Sequence, residues 1–243
     1  MGRYSELVND KEFIKKLKSS RFFNLLFDKP EVLLIVLCGS RITGITDDHS
    51  DYDITILTTN EKCKESDYRL RYEEHDVHWY YHNINNFIYT DEKFPAMNSL
   101  CPFLLGLINE DYIIYKNPKY QNVIDYIFSI KKELLEIGGR TLYKKCLNYI
   151  QTPIETGVID KKYYTKFWGH LIFISDILNN ISVDKQLVLA GKRIRYKEIT
   201  KQQEQAMIGK IKQLKDYIKN NPIDVEDTKE NIVRNIKEIM LEN

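Results

Sequence analysis

Six consecutive apolar residues, Leu33–Cys38 (LLIVLC), constrain this chain more than any other feature. An unbroken apolar run of that length is the pattern of a strand buried on both faces. Gly39-Ser40 follow it, where a small turn lets backbone come close to a ligand. A polar loop containing Gly44 leads to Ser50, and Asp51-Tyr52-Asp53-Ile54-Thr55-Ile56-Leu57 reads as a second strand. A strand sends alternate side chains to opposite faces. Asp51 and Asp53 therefore share one face, and Tyr52, Ile54 and Ile56 take the other. Two carboxylates so close repel each other and call for compensation. A hard divalent cation supplies it, Mg²⁺ being the ion that combines carboxylate oxygens with phosphates and water. If the two strands are neighbours, Gly39-Ser40 lie close by, where free N–H groups and a hydroxyl can hold a phosphate. The competing reading is a surface hairpin loop rich in Asp and Ser.

Gly39-Ser40, the intervening loop and Asp51-x-Asp53 together resemble the signature of the DNA polymerase β-like nucleotidyltransferases. The resemblance implies a small mixed sheet with flanking helices, an α+β core, followed by an α-helical C-terminal domain. It implies that Gly39 and Ser40, with Arg41 assisting, hold the phosphates of a nucleoside triphosphate, ATP being favoured. Asp51 and Asp53 would ligate Mg²⁺, with Mn²⁺ as its substitute. A third acidic residue is expected on a further strand, and His75–His82 (HDVHWYYH) is the stretch that can carry it. Alternation puts Asp76, His78, Tyr80 and His82 on one face and Val77, Trp79 and Tyr81 on the other. Asp76 is the natural third ligand and general base. His78 is the other residue that can fall at that position, and there it would leave the carboxylate triad incomplete. The bland reading of His75, His78 and His82 is an edge strand with exposed polar residues, which outweighs a zinc site built of three His without Cys.

Around this stretch the chain is ordinary for a globular protein. Of 243 residues, 43% are hydrophobic and 29% charged, while glycine (10) and proline (6) are too scarce for long disordered tracts. No run approaches the ~20 apolar residues of a membrane span, and the N-terminus lacks an apolar signal core, so the expected place is the cytoplasm with no membrane partner. Cys38, Cys63, Cys101 and Cys146 are scattered and read as free, mostly buried thiols. The net charge of +1 is unevenly spread. Lys185–Lys219 holds ten basic and three acidic residues, which reads either as a phosphate-binding surface or as a solvated helix face.

Asn9 or Asp10 can cap a first helix with Phe13, Ile14 and Leu17 on its apolar side. Pro30 marks the break before the first strand. Tyr68–Glu74 reads as a strand, Asn83–Tyr89 and Ser99–Leu107 as short helices, and Asp111–Tyr115 as the last strand of the sheet. Pro118 is the expected boundary between a catalytic domain, 1–118, and a helical one, 119–243. Beyond it the apolar period turns helical: Tyr120–Ile137 closed by Gly138-Gly139, then Arg140–Ile150, Lys161–Asn179, Lys201–Asn220 and a last helix, Asp227–Glu242, capped by Asp224. Lys166 and His170 share a helix face and can meet phosphate or base, or stand as plain surface residues.

The function that this reading implies is Mg²⁺-dependent, two-metal transfer of a nucleoside monophosphate from an NTP to an acceptor hydroxyl, on RNA or a small molecule, with release of pyrophosphate. A catalytically degenerate nucleotide- or RNA-binding protein on the same fold is the alternative. The resembled family also includes members of toxin–antitoxin pairs.

Overall fold

The computed structural model describes residues 4–21, 23–24, 29–38, 51–60, 67–72, 75–85, 112–141, 143 and 200–242. The first helix, α1, spans Tyr4–Lys18. Asn9 and Asp10 lie inside it rather than at its cap, because burial of Phe13, Ile14 and Leu17 outweighs the weak helix propensity of Asn and Asp.

Among the described residues five strands form one mixed sheet: β1 (Val32–Cys38), β2 (Tyr52–Thr58), β3 (Asp67–Tyr72), β4 (His75–Asn83) and β5 (Ile113–Lys116). Their order is β3-β4-β2-β1-β5. β1 pairs antiparallel with both β2 and β5, β4 pairs antiparallel with β3, and β2 and β4 run parallel. Every residue of β1 is buried, as its unbroken apolar run predicts for a strand covered on both faces. β4 is an interior strand, not the edge strand that its polar residues suggest. His82 is buried on it, and β3 and β5 take the edges. The last strand falls where DYIIY predicts one, two residues late at its start. Asn117 fastens its exit, with its Nδ2 donating to the Val32 carbonyl (2.7 Å) and its backbone N–H to the Leu33 carbonyl (2.8 Å).

Helix α2 covers Gln121–Ser129 and α3 residues 131–141. The interruption comes at Ile130 and not at Gly138-Gly139. Ser129 turns its hydroxyl onto the Tyr126 carbonyl (2.7 Å), a local bond that competes with the helical ladder. The glycines stay helical because tertiary contacts hold the very next residue. Arg140, 3% exposed, donates to Glu136 Oε1 (2.6 Å) and to the Asn221 carbonyl (2.6 Å). Two further helices, α4 (Lys201–Asn220) and α5 (Val225–Leu241), lie where the period places them. Asp224 caps α5, accepting from the Asp227 N–H at 3.0 Å. Lys201, Lys210, Lys212, Lys215 and Lys219 are exposed along α4. No helix among the described residues is long and apolar enough to cross a membrane.

One buried cluster runs through α1, the sheet, α2, α3 and α5, and so extends to both sides of Pro118. The expected helices at 99–107 and 161–179, and Cys63, Cys101 and Cys146, lie outside the described residues. Cys38 is buried and in no disulfide, as expected.

Candidate metal centre

Two features of β2 aim its acidic residues. Tyr52 is 1% exposed and stacks on Phe13 of α1, ring centroids 3.6 Å apart at 10°. Such a pair is worth about 1 kcal/mol beyond its burial. With Tyr52 fixed in the core, the strand's alternation leaves Asp51 and Asp53 on the opposite face. The neighbours on either side then bring the rest of the site to that face. Asp53 is the Cα partner of Cys38 on β1 and of His78 on β4. Thr55, two residues on, is the partner of Tyr80, and its hydroxyl lies 3.3 Å from Cys38 Sγ.

His78 Nδ1 lies 3.1 Å from Asp51 Oδ2 and 4.0 Å from Asp53 Oδ1. The Tyr80 hydroxyl donates to Asp53 Oδ1 at 3.3 Å. The side chains of Asp51, Asp53 and His78 are 36%, 17% and 13% exposed, so the three are partly sheltered from solvent, Asp51 least. One donor atom from each lies within 4.8 Å of the others, the only such group of three among the described residues. The donor set is two carboxylate oxygens and one imidazole nitrogen. That combination fits a divalent cation: the carboxylates supply charge and the imidazole a neutral ligand.

His78 therefore stands at the third position, where the resemblance leads one to expect a carboxylate. Asp76 is exposed near the start of β4, opposite Arg71 in the β3 register, and lies outside the converging group. Tyr80 is a site residue that the sequence reading passes over, although the alternation that links Asp76 to His78 also carries it. Gly39, Ser40 and Arg41 follow Cys38 in sequence and lie outside the described residues, as do Lys166 and His170.

The sequence matches no protein-family model and no curated protein. Among solved structures the chain is similar to a nucleotidyltransferase-like protein from Exiguobacterium sibiricum 255-15. The identity is 10% and the TM-score 0.34, over 95% of this chain and 75% of that one. A likeness this distant carries no functional argument, which falls to the site's own chemistry.

Proposed function

We propose that this chain is a metal-dependent nucleotidyltransferase of the cytoplasm, moving a nucleoside monophosphate from an NTP, ATP before the others, to an acceptor hydroxyl with release of pyrophosphate. The observation that carries the reading is the convergence of Asp51, Asp53 and His78 at the start of β2, beside the end of β1. Gly39-Ser40 continue the chain from that end of β1, and the small-residue turn would hold the β- and γ-phosphates with Arg41 assisting. A cation held there would neutralise triphosphate charge, with a second lowering the pKa of the acceptor hydroxyl. Asp51 and Asp53 provide the negative charge that holds it. Tyr80 fixes the Asp53 carboxylate through its hydroxyl. His78 stands beside them as the third donor, its Nδ1 3.1 Å from Asp51 Oδ2. The acceptor is proposed to be RNA or a small molecule, since one metal site serves either.

A second reading is favoured by His78 itself. With two converging carboxylates instead of three, the same site suits a protein that binds nucleotide or RNA without turnover. Incubation of the chain with each labelled NTP, divalent cation and a mixed acceptor pool separates the two. Transfer and pyrophosphate release that vanish in Asp51→Asn support the enzyme. Metal-dependent NTP binding with no pyrophosphate released supports the binding protein. Transfer undiminished in Asp51→Asn would sink both, the enzyme reading because it needs that carboxylate and the binding reading because it allows no turnover.

A further inference from the structure

We propose that His78 makes this a transition-metal site, one that takes Co²⁺ and the other imidazole-binding first-row ions in preference to Mg²⁺. The inference deepens the functional reading above and rests on it for the site's purpose, although not for its test.

The donors decide which ion the site prefers. Mg²⁺ is small and hard, requires near-octahedral oxygen coordination and sheds its water reluctantly. Its protein sites are made of one or two carboxylates completed by water and substrate phosphate. Asp51 and Asp53 suffice for that, and they serve Mn²⁺ equally well, so the carboxylates alone do not discriminate. The third donor does. Imidazole nitrogen suits zinc, iron, nickel and copper, and the affinity of a given N/O site climbs from Mn²⁺ through the first-row series. An imidazole adds little to a Mg²⁺ site and much to a transition-metal one.

The geometry makes the imidazole a ligand and not a bystander. Metal–donor bonds of about 2.1 Å set adjacent ligand atoms about 3.0 Å apart and opposite ones about 4.2 Å apart in an octahedron. His78 Nδ1 stands 3.1 Å from Asp51 Oδ2 and 4.0 Å from Asp53 Oδ1, inside that span before any side chain moves. His78 is held there by its strand: it is the register partner of Asp53 on interior β4, flanked by the buried Val77 and Trp79. Its side chain is 13% exposed. Asp76, exposed and outside the group, does not restore an all-oxygen site.

The experiment is metal titration of the full chain without nucleotide, using MgCl₂, MnCl₂ and CoCl₂ separately. Calorimetry gives the affinities, and the Co²⁺ visible spectrum reports nitrogen ligation. The native chain should bind Co²⁺ at least about tenfold more tightly than Mg²⁺, with Mn²⁺ between the two. In His78→Asp the Co²⁺/Mg²⁺ affinity ratio should fall sharply, Mg²⁺ binding should strengthen and the Co²⁺ spectrum should lose its nitrogen signature. Three results overturn the proposal: no metal binding, a native ratio near one, or a ratio and spectrum unchanged in a folded His78→Asp. The native measurement decides by itself if that variant does not fold. Because no nucleotide is present, failed nucleotidyl transfer leaves the metal preference standing, and a lost preference leaves transfer with Mg²⁺ open.

Discussion

Asp53→Asn should make the metal-free protein more stable and abolish its response to metal. The Asp51 and Asp53 donor oxygens lie within 4.8 Å of each other. Unit charges at that separation repel by about 0.9 kcal/mol at the dielectric constant of water and about 3.5 kcal/mol at an effective value of 20. Both side chains are partly open to solvent, 36% and 17% exposed, so a repulsion of about 1–2 kcal/mol is the reasonable range. The loss on substitution is smaller. The Tyr80 hydroxyl donates to Asp53 over 3.3 Å, long for such a bond, and an amide oxygen still accepts it. That loss stays below ~1 kcal/mol. His78 keeps its 3.1 Å contact with Asp51 and gives up a 4.0 Å approach to the Asp53 charge. Relief of repulsion wins, with a net gain of about 1 kcal/mol and a Tm higher by about 2–4 °C for a chain of this length. The assay is urea and thermal unfolding in chelator, repeated with Mn²⁺. At one hundred times Kd, a bound ion stabilises the native chain by about 2.7 kcal/mol; Asp53→Asn should gain almost none of it. A variant that is less stable than the native chain in chelator, or that keeps the metal response, would refute the reasoning.

Two further predictions concern the helices behind the sheet. Arg140→Met should destabilise by about 3 kcal/mol, at the low end for breaking a buried charged pair, because Glu136 and the carbonyls of Ile218 and Asn221 lose their shared donor. The Tm should fall by about 6–12 °C, and a loss below ~1 kcal/mol would mean that α4 is not clasped this way. Tyr217 donates to Glu136 at 3.2 Å, and burial first, then the Glu136 charge, raises its pKa above the ordinary value of about 10. A raised folded-state value favours the protonated form, so its contribution is complete below pH ~10 and is lost as pH rises through the folded-state value. Urea midpoints at increasing alkaline pH should fall less steeply in Tyr217→Phe; identical slopes would refute it.

The parts of this molecule legible in its sequence are those with a period. β1 and β2 are readable because an unbroken apolar run and strict alternation have one structural solution each. α4 is readable to the residue. The departures share a cause, which is that packing overrides local preference. Asn9 and Asp10 sit within a helix because Phe13, Ile14 and Leu17 hold it. Gly138-Gly139 fail to stop a helix because Arg140 is anchored two elements away. β4 looks like an edge when its polar residues are counted without the strand that covers them. The third site residue is a matter of register, since Asp76 and His78 share a face and only the pairing with β2 chooses between them.

That choice has an energetic logic. A carboxylate at His78 would put three negative charges within 4.8 Å, and the metal-free chain would bear two additional repulsions of the size worked out for Asp51 and Asp53. An imidazole adds no negative charge in either protonation state and offers a donor to the two acids when no cation is bound. The metal-free site is therefore less strained than an all-carboxylate one. The same substitution lowers the charge available to a hard ion, so Mg²⁺ loses more than a nitrogen-tolerant ion does. Stability of the metal-free protein and preference for transition metals are two consequences of one residue. His78→Asp should move both together, lowering unfolding stability in chelator while raising Mg²⁺ affinity, and a variant that moves one without the other would separate what the geometry joins.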